Sequence, residues 1–468
     1  MACAPGIRED PAWRSYPAYR ASGIDWLGAV PGHWSVRHLG LALASVIGGG
    51  TPQTSREDYW SVEGENGLAW VAIGDMSDGG TVRQTEKRVT PDGVLAARLR
   101  ALPAGTVIYS MYASVGAVAR LGIPATTNQA ILGLIPANGL LSCYLYWWLH
   151  AIRQPVLSLT RDNTQSNLNA ETVRGFPVCL PPLDEQRDIA AFLDRETERI
   201  DSLIAKKRLL IERLQEYRTA LITRTVTRGL PPEAARAAGL DPSPRLKPLG
   251  VVWLGDVPEH WDVGHLKRWF MIVNGGTPKG SEESFWDGEV AWLTPDDLGR
   301  SQTMWIGAGN RSLTLEGLES CSARLCPDGS IALSTRAPIG HVAIMSASSA
   351  TNQGCRTLVP GPQMDSEFAF FAMSAARRVL ESLGQGSTFM ELGQGDLGSL
   401  PLARPPLAEQ RVVVDFLKRE SERIAALLSC SEDAIERLQE YRTALITAAV
   451  TGKIDVRDQG SVTADLAE

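Results

Sequence analysis

ERLQEYRTALIT runs from Glu212 to Thr223 and runs again, unchanged, from Glu436 to Thr447, an offset of 224 residues. The match continues upstream: Pro181-Pro182-Leu183 with Glu185-Gln186-Arg187 becomes Pro405-Pro406-Leu407 with Glu409-Gln410-Arg411. Trp26-Leu27-Gly28 through His33-Trp34 returns as Trp253-Leu254-Gly255 through His260-Trp261. Between these islands the two copies have drifted far apart. The chain is a tandem duplication whose helices stayed alike while its lobes diverged. Similar helices imply one kind of partner bound twice, and dissimilar lobes imply two different targets.

The repeated stretch is helical on its spacing. No Gly or Pro interrupts the chain from Asp184 to about Thr227. Apolar residues recur at heptad intervals, with Leu193, Ile200, Leu214 and Leu221 at a and Leu203 and Tyr217 at d. The second copy places Leu417, Ile424, Leu438 and Leu445 at a, with Leu427 and Tyr441 at d. A helix of ~40 residues is roughly 60 Å long, whereas a lobe of this size is only ~30 Å across. Packing on its own lobe would therefore leave much of the stripe uncovered. Pairing of the two helices as an antiparallel coiled coil, with pseudo-twofold symmetry, covers it. On that phase Gln215, Glu216, Arg218 and Thr219 face away from the seam, as do Gln439, Glu440, Arg442 and Thr443. Core packing does not explain their identity in both copies; a shared external contact does, and is favoured over recent exchange between the copies because the lobes differ.

The 468 residues suffice for several domains with sizeable cores. We divide them into a polar segment 1–22, a first lobe 23–182, a helix 183–228 and a Pro-rich linker 229–248. A second lobe 249–406, a second helix 407–455 and a tail 456–468 follow. The lobes read as mixed α+β, which makes the whole chain α/β. With 44% hydrophobic and 21% charged residues the composition is globular. No apolar run approaches a membrane span, residues 1–22 carry no signal-peptide core, and the seven cysteines are scattered without zinc spacing. These features lead us to expect a cytoplasmic protein with no structural metal. The net charge of −7, and a first lobe (39–182) with 10 acidic and 10 basic side chains, speak against a simple basic DNA-coating protein. Nucleic-acid binding would need local basic patches or charge borrowed from a partner.

Taken in order and twice over, these motifs resemble the specificity subunit of type I restriction-modification systems. Further matching pieces are Gly-Gly-Thr-Pro at 49–52 and 275–278 and Thr-Asn-Gln at 127–129 and 351–353. The resemblance implies two target recognition domains, each reading one half of a bipartite site in double-stranded DNA. It implies long helices that separate the two domains and dock two methyltransferase subunits, with restriction subunits joining that core. S-adenosylmethionine, ATP and Mg would then sit in the partner subunits and none in this chain. The sequence agrees in what it lacks: no Gly-x-x-x-x-Gly-Lys-Ser/Thr loop, no Asp/Asn-Pro-Pro-Tyr/Phe tetrapeptide and no triad pattern. A coiled-coil scaffold that reads no DNA is the rival reading.

Base reading in the major groove needs Arg for guanine and Asn or Gln for adenine, while backbone N–H groups and small polar side chains hold phosphates. Three regions qualify. Thr51 and Gln53, with Thr277 and Lys279, lie in the Gly-Gly-Thr-Pro stretches, which are also good turns. Tyr112 and Ser114 lie in Ser110–Ser114, which aligns with Ser334–Pro338 and so sets Thr335 opposite Met111 and Arg336 opposite Tyr112. Members of the family often carry Arg where Tyr112 stands, so Tyr112 departs from the pattern. The polar run with Arg161, Asn163, Gln165 and Asn167 aligns with Ser387 and Thr388. Each region also reads as an ordinary solvated loop. Asn128-Gln129 and Asn352-Gln353, shared by both copies, read as structural, and Trp70, Trp147, Trp148 and Trp292 as core. Asp296-Asp297 aligns with Gly74-Asp75 and reads as a solvated strand end rather than a metal site.

Overall fold

The computed structural model describes residues 13–457 apart from 62–66, 77–79, 113, 162–167, 302 and 385–389. The chain divides into two units. One comprises the residues up to Lys207 together with those from Glu432 onward, and the other comprises Arg208–Ser431. The architecture is mixed α and β.

In the first unit a five-stranded sheet has the order Leu43–Gly48, Ile131–Pro136, Val107–Ser110, Val118–Leu121, Thr81–Val82. Val107–Ser110 is central, and its four residues are all buried, as expected for a β-branched and aromatic run covered on both faces. Helix Ser142–Ala151 buries Tyr144 through Leu149 against this sheet, so Trp147 and Trp148 are core. A smaller four-stranded sheet carries Leu68–Val71 and Ala125–Thr127, paired in parallel.

The second unit repeats the plan with other residues. Its five-stranded sheet runs Phe270–Asn274, Cys355–Pro360, Ile331–Ser334, Val342–Met345, Trp305–Ile306. Helix Ser366–Ala375 covers it with Phe368, Phe371 and Met373. Topology and register survived the divergence that erased sequence similarity, because both depend on hydrophobic pattern rather than on identity.

Two long helices, Leu183–Arg228 of 46 residues and Leu407–Val450 of 44, each begin in one unit and end in the other. Each starts after Pro-Pro and is pinned by the Glu-Gln pair that follows. Glu185 accepts a hydrogen bond from Trp34 Nε1 (3.1 Å), and His33 Nε2 lies 2.8 Å from its other oxygen. Glu409 receives Trp261 (3.0 Å) and His260 (2.8 Å) in the same way. Gln186 donates to the Pro181 and Gly139 carbonyls and accepts from Leu141, and Gln410 does likewise with Pro405, Gln363 and Asp365. The motifs repeated at the sequence level are thus mutual partners.

The helices stop at glycines with positive φ, Gly229 (+84°) and Gly452 (+72°), a conformation that suits Gly alone. A Cβ on Gly452 would overlap Pro31, beside the Trp34 that holds Glu185. Gly229 lies by Trp261, the tryptophan bound to Glu409. In each unit, therefore, the start of one long helix meets the end of the other, and the pairing is antiparallel. The second helix ends at Val450, short of the expected residue 455. The linker is less extended than its prolines suggest. Pro232–Ala237 is a helix with proline in its first turn, where the missing N–H costs nothing, and Leu246–Pro248 pairs as a strand.

The expected seam needs one correction. Leu193, Ile200, Leu221, Leu417, Ile424 and Leu445 are buried, and Leu214 and Leu438 half-buried. Leu203, Tyr217, Leu427 and Tyr441 are exposed, Tyr217 at 55%. The row completing the seam lies four residues after each a position rather than three: Thr197, Ile204, Thr225 and Ala449 are buried. Heptad spacing is the same for either choice, so periodicity alone could not say on which side the second row lies. The seam also claims Arg442, expected to face outward: its guanidinium binds Asp201 at 3.0 Å. Gln215, Glu216, Arg218, Thr219, Gln439, Glu440 and Thr443 are exposed.

Ile204→Asp should therefore lower unfolding free energy by about 3 kcal/mol or more, because it buries a charge. Tyr217→Asp should stay within about 0.5 kcal/mol of the parent protein. Denaturant titration of both variants checks the phase, and a larger loss for Tyr217→Asp would restore the original seam.

Candidate nucleic-acid interface

Each lobe carries the same clasp. In the first, the Gly50 N–H donates to the Thr127 carbonyl (2.8 Å), the Thr51 hydroxyl to Gln129 Oε1, and Trp70 Nε1 to the Gly50 carbonyl (2.9 Å). In the second, Gly276 donates to Thr351 (2.9 Å), Thr277 to Gln353, and Trp292 to Gly276 (3.0 Å). Asn128 and Asn352 each accept a backbone N–H two residues on, from Ala130 (3.0 Å) and Gly354 (2.9 Å). A Cβ on Gly49 or Gly275 would overlap the Thr127 or Asn352 carbonyl, so glycine is required by close approach of two backbones. Gly-Gly-Thr-Pro and Thr-Asn-Gln are two halves of one device.

The loop leaving the clasp is also built alike. Trp60 and Trp286 donate to the carbonyls of Gln53 (3.4 Å) and Lys279 (3.2 Å), and each packs edge-on against the second tryptophan, at 5.0 and 5.2 Å. The side chains of Gln53 and Lys279 therefore project, exposed, from equivalent points with different chemistry. Thr51 and Thr277 are exposed too, although the clasp engages their hydroxyls. In the first lobe the loop's one Arg, Arg56, is held by Asp58 in a two-bonded pair, which keeps that carboxyl below the usual range.

The two lobes differ beside the clasp. Met111 and Thr335 occupy one place: their N–H groups donate to Ala130 and Gly354, and their carbonyls accept from Leu168 and Leu392. Thr335 is fully buried there, so its expected contact with DNA does not stand. The next residues differ sharply. Tyr112 lies half-buried against the core of its lobe, while Arg336 is exposed and donates from Nε to Glu391 (3.1 Å). Ser114 is exposed. The backbone of Arg161 ends a helix, Arg153–Arg161, whereas its side chain and Asn163, Gln165, Asn167, Ser387 and Thr388 lie outside the described residues.

Sequence reasoning missed the neighbours of Arg336. Arg356 stands mid-sheet in Cys355–Pro360, where strand register gives it the place of Leu132. It approaches Glu391 at 3.9 Å and donates to Asn274, whose Nδ2 donates to Gln394 (3.2 Å). Burial pulls its guanidinium below the ordinary value, with Glu391 opposing. An arginine aligned with a core leucine at offset 224 was the available signal.

Asp297 is not a solvated strand end. It is buried, accepting from Thr294 N (2.9 Å) and Oγ1 (2.6 Å) and from Asn310 N (3.1 Å), and Asp75 accepts from Ala72 and Glu86. These carboxylates shape a turn, a role that needs one residue and not a pair. Among the described residues no group of His, Cys, Asp and Glu is arranged to hold a metal, and no helix is long and apolar enough to cross a membrane.

The clasp is thus built twice, with surroundings built differently each time. Residues 31–213 and 258–437 match the family described as the type I restriction modification DNA specificity domain, and the chain belongs to that family. It is 32% identical over 194 residues to the type I restriction enzyme MjaIX specificity subunit of Methanocaldococcus jannaschii, 41% of this chain and 42% of that protein. To the putative MjaX specificity subunit of the same organism it is 25% identical over 301 residues, 64% of each chain. The match thus spans less than two thirds of either relative. The fold is similar to a chain from a structure titled as the basis of complex assembly and conformational transition of the type I R-M system (TM-score 0.68, 17% identity, 90% of this chain and 98% of that one). It is similar as well to the HsdS subunit of Thermoanaerobacter tengcongensis (TM-score 0.57, 18% identity, 91% and 98%).

Replacing Gln353 by Ala removes the acceptor of Thr277 and should cost about 1 kcal/mol, the usual net worth of one hydrogen bond. Hydrogen exchange should speed up at residues 275–279 and stay unchanged at 49–53. Exchange that stays slow at 275–279 would show that the clasp does not depend on this bond.

Proposed function

We propose that this chain is the DNA sequence-recognition subunit of a type I restriction-modification complex, itself without catalytic chemistry. Each lobe reads one half of a bipartite duplex site, and the helices separate the lobes and dock two methyltransferase subunits, which restriction subunits then join. S-adenosylmethionine, ATP and Mg belong to those partners. The observation that carries this reading is a shared clasp whose surroundings differ between lobes within a chain of this family. Identical parts support the fold in both copies, and non-identical parts on the same frame suit two different base sequences. The outward residues of the repeated helix motif, Gln215, Glu216, Arg218 and Thr219 in one copy and Gln439, Glu440 and Thr443 in the other, support docking of one kind of partner twice. Exposed Leu203, Leu210, Tyr217 and Leu427 add an apolar component to those faces.

The lobes should specify independently. Exchanging 39–180 for the lobe of a relative, in a complex with its methyltransferase subunits, should change one half of the methylated site and preserve the other. A change in both halves, seen by methylome sequencing, would refute separate readers.

The helices should also set the spacing. One heptad inserted in each, after Arg208 and after Glu432, keeps the seam in phase and lengthens each helix by about 10 Å at 1.5 Å per residue. The recognised site should then be lost or acquire a longer spacer. Methylation of the original site with its original spacer would show that helix length does not set the distance.

A further inference from the structure

We infer that Arg336 reads a guanine in the half-site addressed by the second lobe, and that Glu391 positions it for that contact. The inference rests on the proposal above that the lobes read DNA.

The argument starts from positions that the strand register makes equivalent. Gly48 pairs with Leu132 in the first lobe, and Asn274 with Arg356 in the second. Tyr112 follows Met111 as Arg336 follows Thr335. The first lobe puts an apolar set at these places, with Leu132 buried and Tyr112 packed on its core. The second puts a connected polar chain there: Arg336 to Glu391, Glu391 to Arg356, Arg356 to Asn274 and Asn274 to Gln394. One fold is satisfied without such a chain, so the fold does not require it. Buried charge costs free energy unless it is well paired, and Arg356, with its side chain only 13% exposed, is costly to retain for packing alone.

The chain's outer end is built to present one group. A backbone bridge joins Arg336 to Glu391, and the Leu392 N–H donates to the Thr335 carbonyl (2.8 Å), so the two segments hold each other in place. Glu391 engages Arg336 through Nε at 3.1 Å, and the side chain stays 46% exposed. With Nε occupied, the outer Nη edge is the edge left to meet a ligand. That planar fork matches guanine O6 and N7. Arg336, Arg356 and Glu391 together carry a net single positive charge, which tolerates the field of DNA. Fixing the side chain in advance reduces the ordering cost on binding.

The test uses the chain assembled with its methyltransferase subunits and a set of duplexes carrying every single-base change in the site. Failure of the parent complex to methylate any sequence selectively would count against the proposed function itself. Given selective parent activity, Arg336→Ala should lose about ten- to hundredfold discrimination at one G·C pair of one half-site, with the other half unchanged. Arg336→Lys should not restore it, because an ammonium lacks the fork. Glu391→Ala should weaken discrimination at the same base pair, and Glu391→Gln, which still offers an acceptor to Nε, should retain it. Melting temperatures of all four variants control for folding. The inference is overturned by unchanged discrimination in Arg336→Ala, by a half-site with no G·C pair, or by uniform weakening across all sequences, which would mark a phosphate contact.

Discussion

A carboxylate at the third position of each long helix, Glu185 or Glu409, supports everything else. It joins the aromatic segment that opens each repeat to the helix that closes it, through one tryptophan N–H and one histidine. Glu185 is buried, so its charge must be met by hydrogen bonds, and the Trp34 N–H, equally buried, has the same need. Mutual satisfaction leaves little freedom in how a helix leaves its lobe. The following glutamine removes what remains, since it caps the Pro-Pro carbonyl and binds the covering helix of the sheet. Because each helix then runs on into the other unit, its far end completes the footing of the second lobe.

The lobes show how a frame can be conserved while its surface is released. The clasp is backbone against backbone, with glycines where a Cβ has no room and side-chain oxygens aimed at fixed N–H groups. Few substitutions are tolerated by such geometry. One or two residues away, Gln53 and Lys279, or Tyr112 and Arg336, stand at equivalent places with no common demand on their side chains. That separation lets two copies of one fold carry different surfaces without renegotiating the core.

Two kinds of polar group can be told apart among the described residues of the second lobe. Asp297, Thr335 and Ser334 are buried and serve turns and strand ends, where the backbone would otherwise lack partners. Arg356, Asn274 and Gln394 serve one another and end at an exposed arginine. The second kind has no polar counterpart at the equivalent register positions, Gly48 and Leu132, of the first lobe, and it reaches the surface.

Repeats, the two long helices and the mixed lobes were legible in the chain because local physics sets them. A long run free of Gly and Pro with apolar residues at heptad spacing favours helix, a glycine just beyond it favours an end, and a duplicated motif favours duplicated partners. Length disfavoured the rival in which each helix packs only on its own lobe, and the packing of Leu445 and Ala449 in one cluster with Leu193 and Ile200 decided against it. Three things were decided in three dimensions. The second seam row lies at Thr197 and Ile204 rather than at Leu203 and Tyr217, because both choices have the same period and only the partner helix distinguishes them. Arg442 turned inward because Asp201, 241 residues away, came within reach. Arg336 acquired its neighbours because sheet register brought residues 274, 356, 391 and 394 to one edge, a closeness that linear sequence does not encode locally.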